Sequence, residues 1–386
     1  MSQSSTTRPI TIYPFLTVGL IAGALLAFLI THISASPPGI LSFPSPQFSY
    51  SYTPLLFYYW VSFYGVMFLL SLPSAQSLTR LIFITLIPSF IASLPYYWHA
   101  YNTGSQFFLI LFSAYALNAF HINYEANGLH GNYSTLFHAV WDSFIKLFIA
   151  LFFTLFCWII LYLCASLFNF IEIKFLSTLI EKNWFAVWAS AFFVSVGLYI
   201  ATHTESVVRN IRMVLFLICK YLFIPLAIIS ILFIVSLLIV IPQHHFTFKS
   251  ESLFSSIAFL SVLFLNGVYQ DGLTEKPYPT FLLWICRVFI WITPIFTLLA
   301  LYTVYFHGDN NIHENINLSL LFIYNLVYAI IGFCRQKKSW FKGIERANVV
   351  LAILLIIVTM TTTMPLFVKQ FNQSQPFSPI SKSVTQ

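Results

Sequence analysis

The side chains best suited to chemistry stand at the edge of an apolar run, in Phe264-Leu265-Asn266-Gly267-Val268-Tyr269-Gln270-Asp271-Gly272, with Arg287 following. Amide, carboxylate and guanidinium groups crowd together there. On a helix Asn266 and Gln270 are four apart and share a face. Gly272 is expected to stop the helix, because glycine accepts the left-handed conformation that closes helices. A short hairpin, Leu273 to Pro279, then leads into the next apolar run, so the two helices should be antiparallel neighbours. Arg287 lies about seven residues into that run, roughly 10 Å deep at 1.5 Å per residue. A cation at that depth must snorkel, pair or face water. The spacing predicts that Arg287 bonds the Asn266 amide and reaches toward Asp271. Two readings follow for Asn266, Gln270, Asp271 and Arg287. One is a polar clasp that fixes the register of two helices. The other is the floor of a cytosol-facing pocket that binds an anionic group through Arg287.

A second group lies between His121 and Asp142. His121 and Glu125 are four apart, as are His138 and Asp142, with His130 between them. Four-residue spacing on a helix puts two ligands on one face, as zinc sites require. Asn123, Asn127, Gly128, Gly131 and Asn132 argue instead for turns, and there is no HExxH. A solvated cytosolic loop without metal is the expectation. Glu205 and Arg209 form an i,i+4 pair on a solvated turn together with Arg212. His244-His245 are expected to be exposed on the other side. The sequence shows no Gly-rich phosphate loop, no Ser/His/Asp set and no paired intramembrane carboxylates. This points away from catalysis, which needs an acid, base or metal in place. No cofactor is expected.

The elements that must position these groups are membrane spans. Of 386 residues, 59% are apolar and 8% charged, against roughly 25% charged in a soluble domain. A membrane helix needs about 20 mostly apolar residues. That length, with Pro, Gly and charges as punctuation, predicts about eleven spans, near 12–33, 54–72, 79–98, 104–121, 143–169, 184–203, 213–241, 252–270, 280–306, 316–334 and 347–368. The fold class is therefore all-α, a polytopic integral membrane helix bundle. One transmembrane domain covers 1–370, and the Ser/Gln/Pro-rich 371–386 is expected to be a disordered tail. The run from Ile12 to Ile33 is too long for a secretory signal and reads as a retained first span. Pro88, Pro225 and Pro294 can kink their spans. Leu167 to Phe185 mixes bulky apolar residues with charges, which predicts an interfacial helix along the outer leaflet anchored by Trp184. The five cysteines have neither CxxC nor matched spacing and read as packing residues.

Net charge is +7, from 18 Lys and Arg against 11 Asp and Glu. Most of the Lys and Arg fall on one side of the alternating spans, which predicts N-in and C-out. The heaviest cluster, Arg335 to Arg346, should face anionic lipid headgroups. The cations serve orientation, and no nucleic-acid partner is expected.

The stretch from Leu136 to about Tyr305 resembles a bacterial multi-pass membrane family catalogued as domain of unknown function 4153. The resemblance rests on Leu136-Phe137 with Ala139-Val140-Trp141, Trp158, Leu167-Phe168, Ile171-Glu172-Ile173 with Phe175, and Trp184-Phe185. It continues with the Asn266 to Gly272 element, Arg287 and Leu299-Ala300-Leu301-Tyr302. Glu172 stands where the family usually carries Gly, and Asp142 where it often carries Asn. The resemblance implies the bacterial inner membrane and no particular activity. Two functions stay open: a transporter-like or small-molecule-binding protein with a cytosol-side polar pocket, and a non-catalytic scaffold or accessory subunit of an envelope complex.

Overall fold

The computed structural model describes residues 11–33, 52–97, 104–128, 131–240, 251–272, 277–307, 312–334 and 343–363. Every regular element among them is helical. The helices are α1 (Tyr13–Ile33), α2 (Tyr52–Ser71), α3 (Leu78–Ile84), α4 (Leu86–Tyr97), α5 (Gly104–Asn127), α6 (Tyr133–Phe170) and α7 (Phe175–Ile180). They continue with α8 (Asn183–His203), α9 (Glu205–Val240), α10 (Glu251–Tyr269), α11 (Thr280–His307), α12 (Ile312–Cys334) and α13 (Ile344–Thr363). A 3-10 turn, Leu72–Ser74, follows α2. Among the described residues 11 helical stretches are long and apolar enough to cross a membrane, and α3 with α4 counts as one of them. The protein is a polytopic helical bundle.

Span positions agree with the hydropathy reading, but the helices run past the apolar limits. The helix of the fourth span continues to Asn127, the next begins at Tyr133, and α9 starts at Glu205. The 121–142 region therefore consists mostly of two helix ends, with 129–130 between them outside the described residues. Asn132 caps α6, its side chain accepting from the Ser134 amide at 3.1 Å, and this satisfies one of the orphan donors of the first turn. With 38 residues, α6 is about 57 Å long at 1.5 Å per residue. That is nearly twice the roughly 30 Å hydrocarbon core.

Pro88 breaks its span rather than bending it. The helix is interrupted at Thr85, between α3 and α4. Proline at 88 offers no N–H to the carbonyl four residues back. Pro225 and Pro294 lie inside continuous helices. The expected interfacial helix from 167 to 185 is found in three pieces. These are the end of α6, the six-residue α7 and the start of α8. Glu172, at φ 66°, turns the chain between the first two. Ser177 Oγ donates to Asn169 Oδ1 at 3.0 Å and ties α7 back to α6.

Packing sorts the helices into two groups. In the first, α8 lies between α1 and α6, and α2 packs on α1 and α4. In the second, α9 and α12 pack on α10 and α11, and α13 packs on α12. The apolar cores follow the same division, except that Val349 of α13 packs on the first and Tyr133 of α6 on the second. One core joins Phe15, Phe68, Leu81, Ile122, Ala150 and Leu198, and another joins Phe223, Leu265, Phe289, Ile290, Tyr328 and Leu351. Between the groups the contacts run mainly from α5 to α13 and α12, and from α6 to α9.

Small residues make the first group tight. Lipid tails are as apolar as Leu, so membrane helices associate through close packing and hydrogen bonds. Gly19 and Gly23 face α8, where an added Cβ would meet Ser195 Cβ at 2.8 Å and Trp188 at 3.1 Å. Ser195 Oγ donates to the Phe15 carbonyl at 2.5 Å across the same interface.

Candidate functional site

The alternation of spans brings the starts of α3, α6, α9, α11 and α13 to one side of the bundle, together with the ends of α2, α5, α8 and α10. Lys and Arg concentrate there, and we call it the basic side. The polar side chains singled out in the sequence lie on it.

Asn266 sits on α10, one turn before the helix ends. One of its amide hydrogens goes to the Val262 carbonyl at 2.8 Å, the other to the Tyr328 hydroxyl on α12 at 2.8 Å. Tyr328 donates to Asn348 Oδ1 on α13 at 2.5 Å. Asn348 donates back to Asn266 Oδ1 at 2.6 Å. The three side chains thus form a ring in which every bond points the same way around. Such chains polarise one another and strengthen. The second Asn348 hydrogen goes to the Tyr133 hydroxyl at the start of α6, at 2.7 Å. All four amide hydrogens of the two asparagines are used.

A second layer lies nearer the helix ends. Tyr269 donates to Glu345 Oε1 at 3.0 Å, tying α10 to α13. Ser134 on α6 donates to Asp271 Oδ2 at 3.3 Å. Gly272 lies over the Tyr269–Glu345 bond. A Cβ there would meet both Glu345 Oε1 and the Tyr269 hydroxyl at 2.8 Å, and its φ is +80°. Glycine is required on both counts. Tyr278, ahead of α11, donates to the Lys220 carbonyl at 2.6 Å, and burial pushes its phenol up from the ordinary tyrosine value.

Two expectations for this site are corrected. The helix stops at Tyr269 and not at Gly272, because Gln270 itself takes the left-handed conformation, φ 55°. Gln270 therefore leaves the face that Asn266 occupies. Arg287 does not close on Asn266 or Asp271: among the described residues it forms no ion pair. The Asn266 amide is already committed to α12 and α13, and Asp271 is turned toward α6. Arg287 is half-buried and borders the exposed stripe of α11, one turn from Trp284, which is 61% exposed. That position suits a side chain reaching along the helix to the headgroups. Of the joining hairpin, 273–276 lies outside the described residues.

The histidine and acid pairs are separated by their packing. His121 is buried, with Nε2 3.0 Å from Thr85 Oγ1. Glu125 is buried and faces Arg80. Asp142 pairs with Arg212 of α9. Among the described residues no group of three or more His, Cys, Asp or Glu side chains is arranged to hold a metal. The solvated loop expected here is thus corrected, since its helix-borne acids each meet a basic partner. Arg212 reaches α6 rather than a solvated turn, and among the described residues Glu205 and Arg209 form no ion pair. His130, His244, His245 and Arg335 to Lys342 lie outside the described residues.

The Asp142–Arg212 pair is partly buried, with 31% and 16% of the two side chains exposed. Solvent screening holds such a pair to about 1 kcal/mol of coupling. Asp142→Asn and Arg212→Gln should each lower the thermal midpoint in detergent, and the Asp142→Arg/Arg212→Asp exchange should recover part of the loss. Equal midpoints for all three variants and the parent would remove the pair from the account.

Tyr133, Tyr328 and Asn348 escaped the sequence reading. Their signal was polar side chains recurring inside apolar runs, and their pairing crosses as many as 215 positions of sequence. No family model, curated protein or solved structure matches this chain.

Proposed function

We propose that this protein is a bacterial inner-membrane carrier or small-molecule binder in which the two helix groups move against each other about a polar seam on the cytosolic side. The observation that carries this reading is the placement of the bonds between the groups. Tyr133–Asn348, Ser134–Asp271 and Asp142–Arg212 all start from the first three turns of α6. Polar contacts that can exchange partners are then gathered at one end, beside the aromatic contacts of Phe137 and Trp141 on α6 with Phe216 on α9. Membership of the family that the Asn266 to Gly272 element resembles is part of the same proposal. So is the contact of the Arg335 to Arg346 stretch with anionic headgroups.

A distance measurement tests the movement. Spin labels at Leu25→Cys on α1 and Ile239→Cys on α9, in a background with the native cysteines replaced, report on the ends opposite the seam. The expected result is more than one distance population, with weights that shift in Arg212→Gln. A single narrow distribution, unchanged by Arg212→Gln, would sink the carrier reading. It would favour a rigid scaffold, a reading supported by the outer half of α6. There Leu155, Phe156, Ile159, Ile160, Leu163 and Leu167 are exposed.

A further inference from the structure

We propose that Glu125 is a proton-exchange site, the inner end of a file of buried polar groups on α3, α4 and α5. The Glu125 side chain is 0% exposed, and neither carboxyl oxygen has a hydrogen-bond partner among the described residues. Its nearest charge is Arg80 Nε at 3.8 Å. Arg80 is itself shared: it donates to Gln76 Oε1 at 3.0 Å and lies 5.3 Å over the Tyr124 ring. Charged groups on the elements packed against α5 are Arg80 on α3, His138, Asp142 and Lys146 on α6, His313 and Glu314 on α12, and Glu345 and Arg346 on α13. Of these, Arg80 alone forms an ion pair with the Glu125 carboxyl among the described residues. A structural carboxylate in such a place would be expected to accept two or three hydrogen bonds. Among the described residues Glu125 accepts none, so the site tolerates the neutral acid as well as the ion.

Beyond it lies a column of buried polar side chains, in which the Thr85 and Ser93 hydroxyls donate to the Leu81 and Phe90 carbonyls at 2.7 Å. One turn back on α5, His121 Nε2 lies 3.0 Å from Thr85 Oγ1. Thr85, Ser89 and Ser93 recur every fourth residue and are all fully buried. Ser89 Oγ donates to the Thr85 carbonyl at 2.6 Å and accepts from Trp60 Nε1 at 3.1 Å. From Arg80 to Ser93 the file covers about 20 Å at 1.5 Å per residue, most of the roughly 30 Å core. In the exchange step a proton from water on the basic side adds to a Glu125 oxygen. An O–H bond forms from an oxygen lone pair, nothing is oxidised or reduced, and Arg80 stays protonated. The proton would be the coupling ion of the carrier, so this role rests on the reading above, but protonation of Glu125 can be tested without it.

The test is an infrared pH titration of the full chain in lipid, reading the carbonyl stretch of a dry carboxylic acid. The expected result is a band that grows on acidification, is absent from Glu125→Gln, and is larger at a given pH in Arg80→Gln. Removing the guanidinium removes the charge that favours the carboxylate. No titrating band, or the same band in Glu125→Gln, overturns the proposal. Should Glu125→Gln not fold, Arg80→Gln keeps the carboxyl and decides alone, an unchanged band counting against the site. A titrating band with a single spin-label distance removes the carrier reading and leaves the proton site. Two distances without the band do the reverse.

Discussion

Replacing Gly197 with leucine is expected to force α8 away from α6 and to destabilise the protein by about 3 kcal/mol, the upper part of the range for overpacked interiors. A Cβ at 197 would stand 2.7 Å from Ala150 Cα and 3.0 Å from the Ala150 carbonyl oxygen. Those are backbone atoms, which cannot rotate aside. Ala150 is fully buried and belongs to the core that joins α1, α2, α5, α6 and α8. Relief must therefore come from moving a whole helix, and α8 is already held on its other side by α1 through Gly19 and Ser195. Gly65→Ala is the matched control. Its Cβ would meet Val18 and Ala22 at 3.6 Å and 3.8 Å, ordinary contact distances, so it should be near neutral. Thermal unfolding in detergent, followed by tryptophan fluorescence, separates the two. Equal midpoints for Gly197→Leu and Gly65→Ala would mean that the close approach of α6 and α8 is not what holds the first group together.

Spans were legible because lipid leaves one strong signal. Each crossing needs about 20 apolar residues, and runs such as Leu147 to Phe168 have no other use. Helix ends were less legible. Hydropathy falls off at Asn123 or Glu205, yet the backbone keeps its hydrogen bonds and carries polar residues onward as helix. Glu125 then looked solvated when it is buried. The Gly19-x-x-x-Gly23 spacing in α1 was readable as a close-packing face. Its partner was not, because only the fold places Ser195 and Trp188 opposite it.

The Asn266 site was half legible for a related reason. The sequence marked Asn266 as a polar group needing a partner inside the membrane, and chain proximity offered Arg287. Nearest in sequence was the wrong choice. An amide with two donors and one acceptor oxygen is matched better by a tyrosine and a second asparagine than by a guanidinium, which can only donate. Those partners lie 62 and 82 residues further along the chain, where no local rule reaches.

That ring gives the second large expectation: Asn348→Leu should destabilise the protein by on the order of 2 kcal/mol. The change leaves Asn266 Oδ1 without its donor, the Tyr328 hydroxyl without its acceptor and the Tyr133 hydroxyl without the amide it accepts from. Each unsatisfied buried group costs about 1–3 kcal/mol. Interhelical bonds in bilayers average nearer 0.6 kcal/mol, because the membrane-embedded unfolded chain also finds partners, so the three losses fall well short of their sum. Non-additivity identifies the ring. Asn266→Leu opens the same circle, so the Asn266→Leu/Asn348→Leu double should lose much less than the two singles added. Asn348→Asp keeps the acceptor for Tyr328 and removes both donors. It should lie between the parent and Asn348→Leu if the bonds run in the order Asn266 to Tyr328 to Asn348. Thermal midpoints of the four variants decide it. Strictly additive losses would show three independent contacts instead of one closed circle. Tyr133→Phe breaks only the bond leading out of the ring toward α6 and should cost less than any of them. If Tyr133→Phe also shifts the spin-label distances while Asn266→Leu does not, the ring is the fixed clasp of the second helix group and Tyr133 belongs to the moving seam.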